Sequence, residues 1–173
     1  MTNEQATKRF HLQVETELEA LRQVLQWFES IVFPSLPQKM GWQCEVALVE
    51  AFTNVVRHAH RNLPKTTPID LEVRLFPNFL EMCVWDRGEP FNLKDKLRDN
   101  SLENNSPPLE KEGGRGLQFM KKLTDDMQYL RLSDRRNCLV MRKKYTSGES
   151  KFQLQQSPST TKLGYESQYV HIN

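Results

Sequence analysis

The chain has 173 residues, of which 38% are hydrophobic and 27% charged, so it can bury one sizeable core but is too short for several domains. Its 24 basic residues nearly balance its 22 acidic ones, and no block of like charge predicts a nucleic-acid-binding or membrane-binding arm. The three cysteines lie far apart, which favours reduced core thiols, and no apolar run reaches the roughly 18 to 20 residues of a membrane span. These features predict a cytoplasmic protein with neither nucleic acid nor membrane as a direct partner.

The N-terminal part of the chain predicts a strand followed by a helix. Apolar and polar side chains alternate over residues 8–14, as in a half-buried strand. Thr16 followed by Glu19 matches a capping box, so we expect a helix to begin there and to end before Pro34 and Pro37. The apolar stripe of this helix would comprise Leu18, Leu21, Leu25 and Phe28.

A second helix is predicted over residues 43–60. Its apolar face would comprise Cys44, Leu48, Ala51, Phe52, Val55 and Ala59. Glu50 and Asn54 lie close to the opposite side. Taken alone, the polar side of this helix fits two interpretations. It is either a functional face or the solvated side of an ordinary amphipathic helix.

Two hairpins are predicted further along the chain. Residues 69–75 and 80–84 alternate in hydrophobicity around a turn at Pro77 and Asn78, and the second strand ends at Asp86. Residues 127–132 and 138–141 predict a closing hairpin, preceded by a helix over residues 117–123.

The rest of the chain divides around these elements. Residues 92–112 show no sustained periodicity, and their length predicts a functional lid loop, extending over about 92–116 with the glycines that follow. We expect an N-terminal arm over residues 1–7, one domain over 8–145 and a polar, flexible C-terminal tail over 146–173.

Glu50 and Asn54 are four residues apart, so a helix would present a carboxylate and a carboxamide on one face. Magnesium prefers oxygen ligands and commonly bridges substrate phosphates, so the single carboxamide oxygen of Asn54 would suffice from the protein. Glu50 could accept a proton from an attacking hydroxyl group or water. The pair therefore fits phosphate chemistry.

Two glycine-containing segments fit the remaining parts of a nucleotide. Asp86 follows a strand directly and could accept a hydrogen bond from an exocyclic amine such as that of adenine, while Gly88 would let the backbone approach a planar ligand. Gly113, Gly114 and Gly116 precede a predicted helix, whose N-terminal amides suit phosphate binding. A plain strand-end turn and a plain flexible loop explain the two segments equally well when each is read alone.

The order and spacing of the three segments resemble the nucleotide-binding boxes of the GHKL ATPase family. Residues 45–58 resemble the N box, residues 85–91 the adenine-binding box and residues 112–117 the lid-hinge box, and the resemblance covers residues 8–145. It implies an α/β two-layer sandwich of the Bergerat type, in which a mixed, mostly antiparallel sheet carries helices on one face. His60 departs from the family pattern, which often has an aromatic residue there.

The resemblance also implies a role for each matching residue. Glu50 would be the catalytic base, Asn54 the magnesium ligand, Asp86 the adenine acceptor and Gly88 the point of close approach to the base. The remaining nucleotide-side residues would be His58, Gly113, Gly114, Arg115, Gly116 and Leu117. ATP and Mg²⁺ are thus the expected cofactors.

Within the family, the chain resembles the anti-sigma-factor serine/threonine protein kinases of bacterial partner switching. The resemblance implies phosphorylation of a STAS-type anti-sigma-factor antagonist, sequestration of a sigma factor and a homodimer. The outer side of the first helix, with Arg22, Gln23 and Gln26, is a candidate partner surface. One alternative is a non-catalytic binding module of the same fold, acting with or without ATP; another is a small α/β domain in which the three segments are accidental turns and surfaces.

Overall fold

The computed structural model describes residues 6–102 and 115–146, without the side chains of residues 99–102 and 115. Most of the predicted arm, nearly all of the predicted tail and part of the predicted lid lie outside the described residues. Gly113 and Gly114 also lie outside them.

Five strands form one sheet in the order β1-β2-β3-β5-β4, and each neighbouring pair is antiparallel. The strands are β1 (Lys8–Val14), β2 (Ile69–Leu75), β3 (Phe79–Asp86), β4 (Asp126–Arg131) and β5 (Asn137–Lys144). The predictions for β1 and β2 are confirmed residue for residue, because alternation of side chains reports directly on a strand with one buried face.

Four α-helices accompany the sheet in the described part of the chain. They are α1 (Leu21–Val32), α2 (Gln38–Asn54), α3 (Leu93–Leu102) and α4 (Arg115–Leu123). A 3₁₀ turn at Leu18–Ala20 precedes α1, and a π-helical turn at Val55–Ala59 continues α2. The shared core contains residues of the helices and of the sheet, including Phe28, Phe52, Leu71, Met82, Met120 and Met141. The predicted α/β sandwich is confirmed, with antiparallel pairing throughout the described sheet.

The predicted capping box at Thr16 is wrong. Helix α1 begins only at Leu21, and the Thr16 hydroxyl group instead donates a hydrogen bond to the Thr67 carbonyl oxygen, 2.6 Å away. The later start also changes the buried stripe of the helix. Leu18 stays 41% exposed, and the buried residues of α1 are Val24, Trp27, Phe28, Ile31 and Val32.

Helix α2 differs from its predicted range at both ends. It begins at Gln38, because Pro37 occupies the N-cap position with an extended ψ of 143° and leads the chain into the helix. It ends as a regular α-helix at Asn54, and the His60 amide bonds to the Val55 carbonyl five residues back. The N-box helix therefore finishes in a wider turn that its periodicity did not indicate.

The predicted lid loop contains a helix, so the expectation of irregular structure over residues 92–112 is wrong for its first half. The Asn92 side-chain oxygen accepts hydrogen bonds from the Lys94 and Asp95 amides at 3.0 and 3.2 Å, which caps α3. Gln118 on α4 donates to the Leu97 carbonyl at 2.6 Å and links the two helices.

The outer face of the sheet combines a small buried apolar cluster, formed by Cys83, Cys138 and Val140 with Trp85, and a group of charged side chains. Glu81 is 4% exposed and accepts hydrogen bonds from Arg74 at 3.0 Å and Arg142 at 2.7 Å.

All three cysteines are buried and none forms a disulfide, and burial raises the pKa of Cys44 to about 12. None of the described helices is both long enough and apolar enough to cross a membrane.

Candidate nucleotide-binding site

The apolar face of α2 determines where Glu50 and Asn54 point. Leu48, Phe52 and Val55 are buried against the core, at 1%, 0% and 6% exposure. Glu50 and Asn54 are consequently left half-buried at the edge of the core. The predicted division of this helix into an apolar face and a polar face is confirmed.

The first turn of α4 lies directly over this pair. A Cβ atom built on Gly116 would be 2.8 Å from Glu50 Oε2 and 3.2 Å from Asn54 Nδ2. Only glycine leaves both side chains in place at this distance, so the carboxylate, the carboxamide and the lid-hinge backbone form one cluster. Leu117, the next residue, is 6% exposed, so its side chain belongs to the core and only its backbone can serve the site.

Asp86 lies at the other end of the candidate site and is held firmly. Its side chain is 5% exposed, and Oδ1 accepts hydrogen bonds from the Gly88 amide at 2.8 Å and from Asn137 Nδ2 at 2.7 Å. Neither bond uses Oδ2, and the predicted role of Asp86 as an acceptor for a ligand amine stays a prediction. Two bonds to one carboxylate oxygen fix the direction of the other.

Asn137 is a candidate site residue that sequence reasoning missed, because it lies just before the predicted strand over residues 138–141. It is fully buried and pairs with Asp86 across β3 and β5. It also donates to the Gly88 carbonyl at 2.9 Å and accepts from Arg131 at 2.7 Å. Asn137 and Asp86 become neighbours through the register of two strands that are far apart in sequence, so no local sequence pattern indicates this contact.

Gly88 makes a close approach that differs from the predicted one. A Cβ atom there would be 2.4 Å from the Ala59 carbonyl oxygen, at the end of the π-helical turn. The glycine therefore allows backbone to pack on backbone, and this contact joins the Asp86 end of the site to the helix with Glu50 and Asn54. Its approach to a ligand remains a prediction.

An aromatic pair beside Asp86 was also missed. The rings of Phe91 and Tyr129 have centroids 4.2 Å apart. Burial raises the pKa of Tyr129 above its usual range, and the negative charge of Asp86 raises it further. Both rings are partly buried and pack against the core.

The remaining predicted residues are not brought together by described contacts. The His58 side chain is exposed, and it makes no hydrogen bond or ion pair with the residues that the structure describes. Arg115 begins α4, but its side chain is not described, and Gly113 and Gly114 precede the described part of α4. The roles assigned to these four residues stay predictions.

Comparison with known proteins gives a consistent result. A family model described as the histidine kinase-like ATPase domain matches residues 14–143. The serine-protein kinase RsbW of Oceanobacillus iheyensis is 28% identical over 127 residues, which cover 69% of this chain and 78% of that protein.

Two further relatives carry the same name. The serine-protein kinase RsbW of Bacillus licheniformis is 30% identical over 106 residues, covering 56% of this chain and 65% of that protein. The one of Bacillus subtilis is 31% identical over 107 residues, covering 61% of this chain and 64% of that protein. These two matches span just under two thirds of the relatives' own length. Because the family model covers most of the chain and the α/β fold of the chain is consistent with it, the chain belongs to the histidine kinase-like ATPase domain family.

Proposed function

We propose that this protein is an ATP-dependent serine/threonine protein kinase that phosphorylates a STAS-type anti-sigma-factor antagonist and, in another state, sequesters a sigma factor. The observation that carries the proposal is the cluster of Glu50, Asn54 and Gly116. It supplies a proton acceptor and an oxygen ligand where a helix N-terminus can meet phosphates. The similarity to proteins named serine-protein kinase supports the same reaction class.

The roles follow from the chemistry of phosphoryl transfer. The acceptor hydroxyl oxygen attacks the γ-phosphorus, its proton passes to Glu50, and the bond from the γ-phosphorus to the bridging oxygen breaks as ADP leaves. Asp86 would accept a hydrogen bond from the adenine amine. The amides at the start of α4 would donate to phosphate oxygens.

Asn54 fits the magnesium role. Its side-chain oxygen lies 3.5 Å from the position that a Cβ atom of Gly116 would fill, so a carboxamide oxygen lies beside the first turn of α4 and the Glu50 carboxylate. The described residues contain no cluster of three or more His, Cys, Asp or Glu side chains that could hold a metal ion, so the ion would be shared with the nucleotide. When bound, Mg²⁺ would neutralise charge on the phosphates.

A partner surface is supported at the β1–α1 junction. The outer-side residues Arg22, Gln23 and Gln26 line a groove together with Glu15, Glu17, Glu19 and Ala20. The groove combines three carboxylates with one guanidinium group, a pattern that suits a protein partner of mixed charge. We assign the sigma factor or its antagonist to this groove.

Two other expectations, the homodimer and the cytoplasmic location, remain predictions.

The proposal is tested by phosphate transfer from labelled ATP, with magnesium, to STAS-domain proteins captured on the immobilised protein. Glu50→Gln should lower the transfer rate about 10²- to 10⁴-fold, because a positioned base contributes that much. Its affinity for ADP should stay close to that of the wild type.

Glu45→Gln is the matched control on the same helix. Glu45 lies five residues before Glu50 and so projects about 140° away from it around the helix, and burial together with the charge of Glu29 on α1 raises its pKa. This variant should transfer phosphate normally. If the wild type binds ADP but transfers phosphate to no captured protein, the non-catalytic binding module is indicated instead. If Glu50→Gln and the wild type transfer phosphate at equal rates, Glu50 is not the base.

A further inference from the structure

His60 is a buried histidine that no assigned role explains. It is 1% exposed and follows the π-helical turn at the end of α2. Its Nε2 accepts a hydrogen bond from the Arg87 backbone amide at 2.8 Å. The ring thus contacts the turn between Asp86 and Gly88 directly.

The partners of the ring determine its protonation state. The Arg87 amide can only donate, so Nε2 is the acceptor and the neutral ring carries its proton on Nδ1. Nδ1 lies 2.7 Å from Thr16 Oγ1 and donates to it, and that hydroxyl group donates in turn to the Thr67 carbonyl oxygen at 2.6 Å. The His60 ring and the Thr16 hydroxyl group each donate once and accept once in this chain of bonds, which begins at the Arg87 amide and ends at the Thr67 carbonyl.

The chain of bonds connects the two halves of the candidate site. Glu50 and Asn54 lie on the helix that leads into His60, and Asp86 immediately precedes Arg87. The close packing of Gly88 on the Ala59 backbone lies beside this bond. A π-helical turn holds more residues than an α-helical turn, and His60 closes this one through its own amide.

We propose that His60 is a positioning residue for the nucleotide site: its neutral ring, through Nε2, holds the turn with Asp86 at a set distance from the helix with Glu50 and Asn54. The inference deepens the proposed function, on which its connection to the nucleotide rests. A protonated ring would carry a proton on Nε2 facing the Arg87 amide, and the bond would be lost.

The charged groups facing His60 come from the end of β3. Burial lowers the pKa of His60, the charge of Asp86 raises it and the charge of Arg87 lowers it. Thr16, before α1, and Thr67, before β2, face the ring with uncharged groups. Binding should therefore weaken as acid protonates the ring.

Two variants distinguish the contribution of Nε2 from that of Nδ1. His60→Gln places a carboxamide oxygen about where Nε2 lies and keeps an acceptor for the Arg87 amide. His60→Asn reaches only as far as Nδ1 and loses that acceptor. Calorimetry with ADP at about pH 7.5 should show the Asn variant about tenfold weaker than the wild type and the Gln variant within about threefold.

The pH profile gives a readout that a merely structural role would not produce. From about pH 7.5 to about pH 5.5, ADP affinity of the wild type should fall more than that of His60→Gln, which has no proton to gain. Equal affinities for the Gln and Asn variants, or parallel pH profiles for the Gln variant and the wild type, would overturn the inference.

Amide hydrogen exchange at Arg87 keeps this test independent of nucleotide binding. The amide should be protected in the wild type and in His60→Gln, and exchange faster in His60→Asn. If the wild type binds no ADP, the proposed function fails, whereas equal Arg87 protection in all three proteins would refute the positioning role alone.

Discussion

The two ends of the candidate site are built in different ways. Glu50 and Asn54 are half-exposed side chains on one helix, in contact with the backbone of Gly116. Asp86 and Asn137 are buried, lie on different strands and are joined by a hydrogen bond of 2.7 Å. At one end both side chains come from one turn of a helix and are partly exposed, whereas at the other end the two bonded side chains are buried and come from different strands.

This difference corresponds to two kinds of task. A base and a metal ligand must be reached by substrates, so they need exposed atoms and room for adjustment. A carboxylate that recognises an adenine ring binds it more tightly when its direction is already fixed, because less conformational entropy is then lost on binding. We therefore expect substitutions at the Glu50 end to affect the transfer rate, and those at the Asp86 end to affect affinity and stability.

The largest effect on ADP affinity is expected for Asp86→Asn. Loss of a charged acceptor should weaken ADP binding by about 1.5 to 3 kcal/mol, or roughly 10- to 150-fold, measured by calorimetry. Asp70→Asn is a suitable control, because Asp70 bonds to His11 and Gln13 at the outer face of the sheet. An unchanged affinity in Asp86→Asn would show that the adenine end is misplaced.

Gly116→Ala should act on the rate instead. The added methyl group would displace the Glu50 carboxylate, which lies 2.8 Å from the new atom, and a small misplacement of a reacting group can cost about 10²-fold. Thermal unfolding should change little, because a flexible side chain can move aside. A variant with normal transfer and reduced stability would contradict the contrast between the two ends.

Gly88→Ala should reduce stability. Its methyl group would meet the Ala59 backbone, which cannot rotate away, and overpacking of this kind costs about 1 to 3 kcal/mol. Denaturant unfolding measures the loss, and ADP affinity should fall with it. Wild-type stability would mean that Ala59 and Gly88 are further apart than the structure places them.

The smallest effect is a dependence of stability on pH. Because burial holds the pKa of His60 below its ordinary value, the unfolded chain binds a proton more readily than the folded one. The contribution of the neutral ring to the free energy of unfolding is complete above about pH 6.5, the ordinary pKa of histidine. It is lost as the pH falls from there through the lower pKa that His60 has in the folded protein. The free energy of unfolding should fall more steeply with acid in the wild type than in His60→Gln; identical slopes would argue against a buried neutral ring.

Local patterns in the sequence determined much of this protein. Alternation located β1, β2 and β3, and helical spacing separated the buried face of α2 from Glu50 and Asn54. These features depend on neighbours within one turn or one strand, which is the range over which hydrophobic periodicity acts. The order of the three glycine and carboxylate segments then led to the family.

Only the tertiary structure decided how the site is held together. The bonds of His60 to Thr16 and of Asn137 to Asp86 join residues 44 and 51 positions apart. Thr16 looked like a helix cap because its hydroxyl group suits one, but the buried His60 ring and the Thr67 carbonyl are its partners. Such choices depend on which polar groups are buried together, and a buried polar group must find a partner wherever the fold provides one.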